Sequence, residues 1–178
     1  MKRTRLHFEN IQQIAGADKL AVILLTDEER RRALSVVCDK PMAQQLLLRL
    51  QAPQICRTLL PEALLQMLTV NHEMMIYGIH DGQYQVVLAD CDYECSVRLR
   101  MSDAVLLTLI CDDIPLYIEE NLMKRQCVDY DPKATGIAIP INTMDRRRLN
   151  EALRQAIEVE NYELASHLRD EINRRKTE

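Results

Sequence analysis

The stretch Arg98-Leu99-Arg100-Met101-Ser102-Asp103-Ala104-Val105 joins a predicted strand to a predicted helix, and the rest of the chain is arranged around it. Residues 94–98 alternate between polar and apolar side chains, which predicts a strand. Residues 104–110 are apolar on nearly every side, which predicts a helix buried all round. We therefore expect this junction to organise the fold.

The polar residues of the junction allow two interpretations. Ser102 occupies a position typical of an N-cap, and Asp103 follows in the first helical turn, where the helix dipole stabilises a carboxylate. Capping alone explains both residues. Arg98 and Arg100 add a second possibility, because a helix N-terminus flanked by guanidinium groups is a ready anion site. The pattern thus indicates a well-capped helix, a site for chemistry on a phosphate, or both.

Upstream of the junction, the pattern predicts three strands and two helices. Strands are expected at residues 3–13, 20–25 and 31–38. The first helix is expected at residues 41–50, with Pro41 in its first turn and an inward face of Leu46, Leu47 and Leu50. The second is expected at residues 58–68, since Pro61 is tolerated only in a first turn.

A β-hairpin precedes the junction, and a short strand and helix follow it. Residues 74–80 and 83–88 flank Asp81-Gly82, a strong signal for a type I′ turn. After the buried helix, residues 115–118 predict a strand and residues 119–125 a small helix. This order of elements predicts an α+β fold with a mostly antiparallel or mixed sheet and packed helices.

The C-terminal part differs in composition and predicts an αα-hairpin. Residues 127–142 lose all periodicity and are interpreted as a tether, so we divide the chain into a domain (1–126), a linker (127–144) and a hairpin (145–178). So short a hairpin buries too little surface to fold stably alone, so it needs a partner surface: the same hairpin of another subunit, the main domain of this chain or a different protein. The apolar residues predicted to bind that partner are Leu153, Ile157, Tyr162, Leu168 and Ile172.

Charge and cysteine content restrict the functional classes. The net charge is −4. Residues 1–144 carry the whole acidic excess, so any contact with nucleic acid has to be local. The six cysteines form no Cys-x-x-Cys pair, which predicts free thiols in a reducing cytoplasm. No membrane span and no secretory signal are expected.

The C-terminal residues resemble a known motif. Asn161-Tyr162-Glu163, Ala165 and Leu168-Arg169-Asp170-Glu171-Ile172 closely match the core of the UVR motif, the helical hairpin shared by bacterial excision-repair nuclease subunits and some regulators of protein quality control. In those families the hairpin is a protein–protein contact device. The resemblance implies a protein partner.

Residues 5–125 resemble the bifunctional nuclease family, a domain credited with cutting both DNA and RNA. The carriers are Arg100-Met101-Ser102-Asp103-Ala104, Ile114-Pro115-Leu116-Tyr117-Ile118 and the order of elements. The resemblance implies phosphodiester hydrolysis, with Asp103 as base or ligand of a divalent Mg²⁺ or Mn²⁺ ion and Ser102 orienting the site. Arg100, Arg98 and Arg57 would contact phosphate, and a homo-oligomer is expected.

The sequence also departs from this family. Met101 replaces a proline, Met42-Ala43 replaces a Glu-Ala pair, and Gln54-Ile55-Cys56-Arg57-Thr58-Leu59 replaces a stretch containing threonine, histidine and aspartate. Metal-assisted cleavage needs several hard ligands, and Asp112 and Asp113 are expected about 14 Å from Asp103 at the other end of the helix. Two functions therefore stay open: a nuclease, or a catalytically degenerate scaffold that acts as an oligomeric interaction or regulatory module.

Overall fold

The chain forms a mixed α+β fold with a C-terminal pair of helices, as predicted. The computed structural model describes residues 2–13, 20–67, 71–90, 92, 95–133, 144, 146–158 and 160–175, without the side chains of residues 148, 163, 164 and 167. The described elements are β1 (Arg3–Gln13), β2 (Leu20–Asp27), β3 (Arg32–Asp39), α1 (Lys40–Gln51), α2 (Pro53–Cys56), α3 (Leu60–Leu65), β4 (His72–His80), β5 (Gln83–Asp90), β6 (Ser96–Leu99), α4 (Met101–Ile110), β7 (Leu116–Glu119), α5 (Glu120–Gln126), β8 (Val128–Asp129), α6 (Arg146–Glu158) and α7 (Tyr162–Arg174).

All eight described strands belong to one sheet, in the order β6-β5-β4-β7-β1-β2-β3-β8. Strand β7 runs parallel to β4, and the other pairings among the described residues are antiparallel. The prediction of a mostly antiparallel or mixed sheet is confirmed.

The tight turns follow from local chemistry. At the β2–β3 turn, Oδ1 of Asp27 accepts hydrogen bonds from the backbone N–H groups of Arg31 (2.7 Å) and Arg32 (3.1 Å). At the β4–β5 turn, Asp81 and Gly82 have φ angles of 48° and 73°. A type I′ turn needs positive φ at both central residues, so the predicted turn is confirmed.

The core lies around α4, which packs against α1 and contacts strands β1, β3, β5 and β7. Ala104 and Val105 have no exposed surface, as do Ile76 and Ile118 in the sheet. The helix predicted after the junction is therefore confirmed, but it is not buried all round, since residues 104–106 are buried and residues 107–110 are half-buried. A separate apolar cluster holds α6 against α7 and includes Leu149, Ala156 and Leu168.

Three details differ from the sequence predictions. The helix expected at residues 58–68 is shorter, since α3 covers only Leu60–Leu65 with the extended Leu59 as its N-cap, and a separate helix, α2, forms before it at Pro53–Cys56; Leu68 lies outside the described residues. Leu50 is 46% exposed. Arg49 takes the inward place instead, because its guanidinium pairs with Glu62 of α3 (Nε to Oε1, 2.7 Å).

The segment expected to be a tether begins inside the sheet. Residues 128–129 form β8, and the backbone N–H of Tyr130 donates to the carbonyl oxygen of Arg31 (2.8 Å). Strand β8 forms because one edge of β3 is otherwise unpaired, and two residues are too few to show an alternating pattern in the sequence. Residues 134–143 lie outside the described residues.

The described residues bear on the predictions about membrane spans and thiols. In the part of the chain that the structure describes, no helix is long and apolar enough to span a bilayer. Cys38, Cys56, Cys95, Cys111 and Cys127 are free thiols, as predicted for them; Cys91 is not among the described residues.

Candidate functional site

The helix at the strand-to-helix junction begins two residues earlier than the sequence indicates. Helix α4 starts at Met101, and its N-cap is Arg100, whose carbonyl oxygen accepts from the N–H groups of Asp103 (3.1 Å) and Ala104 (3.0 Å). The prediction that Ser102 is the N-cap is wrong. Met101 is buried in the core, which draws the helix start upstream and leaves Ser102 as the second helical residue. Asp103 lies in the first turn, as predicted.

Arg100 and Asp103 form a bidentate ion pair at this helix start. Nε of Arg100 lies 2.6 Å from Oδ2 of Asp103, and Nη2 lies 3.0 Å from Oδ1. The hydrogen bonds and the charge of Asp103 raise the pKa of the Arg100 guanidinium above its ordinary value. The pair faces solvent, with 74% of the Arg100 side chain and 34% of the Asp103 side chain exposed. Both carboxylate oxygens of Asp103 are therefore engaged.

A polar cavity of about 430 Å³ lies beside this pair. Its walls are the end of β3, the start of β5 and the β6–α4 junction, and they include Arg98, Arg100 and Ser102. Strands β3 and β5 are separated by four strands in the sheet order. The sheet therefore curls around α4, and this curl brings the cavity walls together.

Asp39 is a cavity residue that the sequence interpretation missed. Its Oδ1 accepts from the backbone N–H of Met42 (2.8 Å), which makes Asp39 the N-cap of α1. It also lies close enough to Arg100 for its charge to help raise the pKa of that guanidinium. The capping role had a local signal, because an aspartate just before Lys40-Pro41 is typical of a helix start, but that signal does not place Asp39 at the cavity.

Other predicted site residues lie elsewhere. Arg57 ends α2, is exposed and is not part of the lining of this cavity. Asp112 and Asp113 follow the C-terminus of α4, at the opposite end from Asp103, as expected. The backbone carbonyl of Asp112 accepts from Nη2 of Arg5 at 3.2 Å.

The donor set does not fit a divalent metal. Among the described residues, no three His, Cys, Asp or Glu side chains come together around one point. The two carboxylates near the cavity already have partners, since Asp103 pairs with Arg100 and Asp39 caps α1. Mg²⁺ and Mn²⁺ prefer several oxygen ligands. We therefore assign no step to a metal ion.

The hairpin residues predicted to bind a partner divide into two groups. Leu168 and Ile172 are buried in the core between α6 and α7, and Leu153 packs against that core. Ile157 and Tyr162 are 53% and 67% exposed, on either side of the connection between the two helices.

Two comparisons with protein families add to this geometry. A family model described as the bifunctional nuclease domain matches residues 22–131. The chain belongs to this family. The match contains every residue that lines the cavity, so the cavity is part of the bifunctional nuclease domain.

A second family model, described as the UvrB/uvrC motif, matches residues 146–177, which contain α6 and α7. Both resemblances inferred from the sequence are confirmed. No curated protein matches the chain.

Proposed function

We propose that this member of the bifunctional nuclease domain family binds a phosphodiester of DNA or RNA in the junction cavity and hydrolyses it. The observation that carries the proposal is the presence of two exposed guanidinium groups, those of Arg98 and Arg100, on one polar cavity at the start of α4. Guanidinium groups and the N–H groups of a helix N-terminus both bind phosphate oxygens well.

In this mechanism Arg100 changes partner when the substrate binds. Two phosphate oxygens can accept the same pair of parallel N–H bonds that the Asp103 carboxylate accepts in the free protein. A phosphodiester therefore displaces Asp103 from the guanidinium, while Arg98 holds a neighbouring phosphate oxygen. Ser102, half-buried on the same wall, orients the bound phosphate, and Arg57 contacts a more distant one.

The released Asp103 carboxylate then acts as the general base. It takes a proton from a water molecule as the water oxygen bonds to phosphorus, and the P–O ester bond breaks. The proton passes from Asp103 to the departing oxygen. A positioned base of this kind accelerates a reaction by about 10²- to 10⁴-fold.

The test combines cleavage and binding with plasmid DNA and structured RNA, each with and without Mg²⁺ or Mn²⁺. Asp103→Asn should lower the cleavage rate by about 10²-fold or more without weakening binding, because the Arg100 guanidinium becomes more accessible. Arg100→Ala should weaken binding and cleavage together. Arg154→Ala removes an equal charge from an exposed site on α6 and should change neither. Equal, metal-insensitive background cleavage in every variant would end the nuclease proposal.

A second candidate function is a catalytically degenerate scaffold. The observation that favours it is the closed Arg100–Asp103 pair, which engages both oxygens of the candidate base. A scaffold would bind oligonucleotides without cutting them, or would not bind them at all. Asp103→Asn distinguishes the two functions, because a scaffold has no cleavage to lose.

We further propose that the UVR hairpin binds a protein partner through the exposed side chains of Ile157 and Tyr162, in a cytoplasmic homo-oligomer. These two residues flank the connection between α6 and α7, and their large apolar side chains are exposed and do not belong to the core between the two helices. Replacing both residues with serine should abolish partner recovery while the hairpin stays helical. The molar mass in solution, with and without residues 145–178, tests the homo-oligomer. An unchanged mass and no recovered partner would remove this role.

A further inference from the structure

A second cavity, which the proposed reaction does not use, lies where the hairpin meets the nuclease domain. Its volume is about 590 Å³, and its walls are the β4–β5 turn, the C-terminal end of α5 and the C-terminal end of α7. We call it the cleft. The cleft belongs to both family units, because α5 lies in the bifunctional nuclease match and α7 in the UVR match.

Three arginines line the cleft: Arg125, Arg174 and Arg175. Two carboxylates accompany them, since Glu171 pairs with Arg174 and Arg175, and Asp81 lies on the turn. Burial would raise the pKa of Glu171, but the hydrogen bonds from Arg174 and Arg175 outweigh it and lower that pKa, so Glu171 stays charged. The cleft therefore keeps a local positive excess on a chain whose net charge is −4.

The three arginines of the cleft differ in their exposure and in their hydrogen bonds. Arg175 is 17% exposed, and its Nη1 donates to the backbone carbonyl of Met144 at 2.5 Å, so it holds the base of the hairpin together. Arg174 is 53% exposed. Arg125 is exposed on α5, where its Nε donates to the carbonyl oxygen of Asn121 at 3.3 Å. Arg125 and Arg174 thus present guanidinium groups to solvent from the two sides of the cleft.

Gly82 joins the cleft to the junction cavity, because it lines both. A Cβ atom at this position would lie 2.5 Å from the carbonyl oxygen of Met144 and 2.8 Å from Nη1 of Arg175. The missing side chain is what allows the hairpin to approach the turn. The two cavities are therefore neighbours at Gly82, and no side chain of this residue separates them.

We propose that the cleft is a second phosphate-binding subsite, which holds the backbone of a nucleic-acid strand that continues past the junction cavity. This inference rests on the proposed function of that cavity. A cationic groove that follows the backbone is how proteins bind single strands without reading their sequence. The UVR hairpin would then supply a phosphate contact through Arg174, in addition to its role with a protein partner.

The test compares two single-stranded oligonucleotides, one of about four nucleotides and one of about twenty, which bracket typical site sizes. Fluorescence anisotropy is measured over a range of salt concentrations in the Asp103→Asn background, so that the strand stays intact. Arg125→Ala and Arg174→Ala should each weaken binding of the long strand about tenfold, the usual effect of losing one charge-assisted hydrogen bond. Each should lower the magnitude of the salt slope by about 0.7.

The short strand is the internal control, since it fills only the junction cavity and should bind both variants as it binds the parent. Arg154→Ala should leave both strands unaffected. If Arg100→Ala weakens short-strand binding while Arg125→Ala and Arg174→Ala leave the long strand unchanged, the second subsite is refuted and the proposed function stands. If neither strand binds the parent protein, both fail. Poly-glutamate of matched length is the second probe. If Arg125→Ala and Arg174→Ala weaken binding of poly-glutamate and not of the long strand, the cleft binds an acidic protein segment and the inference is overturned.

Discussion

At the scale of single residues, Tyr84 places a hydroxyl group inside the core. The residue is 5% exposed, and its Oη has no hydrogen-bond partner among the described residues. A buried polar group without a partner destabilises a fold by about 1–3 kcal/mol. Tyr84→Phe should therefore raise the free energy of unfolding by about 1 kcal/mol in a denaturant titration. Tyr77→Phe, at a residue that is 41% exposed, should change nothing, and a loss of stability in Tyr84→Phe would contradict the assignment.

Two buried thiols should make the stability of the protein decrease in alkali. Burial, mainly, raises the pKa of Cys38 and of Cys127 from 9.0 to about 11. The unfolded chain releases these protons from about pH 9, before the folded protein does, so the free energy of unfolding should fall as pH rises from 9 towards 11. Urea titrations across this range measure the fall. A Cys127→Ala variant should show a shallower decline, and an equal decline would show that other groups cause it.

The residues of the candidate site were only partly predictable. Arg98, Arg100 and Ser102 were expected at one site, and all three line the cavity. The pairing of Arg100 with Asp103 is compatible with their spacing of three residues at a helix start. The spacing alone does not determine the pair, because other charged side chains near Arg100 in the fold, such as Asp39, also interact with it. Asp39 was missed because it reaches the cavity only through the curl of the sheet, which no local pattern contains.

At the scale of elements, a buried ion pair fixes α3 against α1. The Arg49 and Glu62 side chains are 3% and 13% exposed, and Nη1 of Arg49 also donates to Gln45. Removing one partner leaves the other charge buried, which destabilises a protein by about 3–5 kcal/mol. Glu62→Ala should lower the free energy of unfolding by about 3 kcal/mol in chemical denaturation. The double variant Arg49→Met with Glu62→Leu should recover most of that loss, and failure to recover it would point to packing rather than charge.

Elements were predictable where burial leaves a local signature. Strand β2 and helix α4 are apolar runs with sharp ends, and the hairpin at Asp81-Gly82 has a turn that few other residue pairs can form. Helix α2 was missed because its four residues are too few to show a helical period. Strand β8 consists of two residues whose conformation depends on the free edge of β3, so its cause lies about a hundred residues away in the sequence.

At the scale of the whole molecule, one glycine decides how closely the two family units approach. Gly82→Ala adds a Cβ against Met144 and Arg175 and should loosen the hairpin, seen as faster amide hydrogen exchange in α6 and α7. Gly78→Ala is the matched control, because a Cβ there meets nothing within 4 Å. Asp81→Ala controls for the turn itself, since it changes a residue of positive φ without adding an atom towards the hairpin. Unchanged exchange in Gly82→Ala would contradict this docking.

The curl of the sheet has a consequence for how the molecule would respond to an occupant of the junction cavity. The walls of that cavity come from β3 near one end of the strand order and from β5 and β6 at the other. The junction cavity is therefore the gap between two sides of the curled sheet. An occupant would contact both sides of this gap and add its binding free energy to the stability of the whole sheet. Amide protons of the middle strands, which exchange only when the whole sheet opens, should then slow by the full binding factor, and those of β3, β5 and β6 beside the cavity should slow as well.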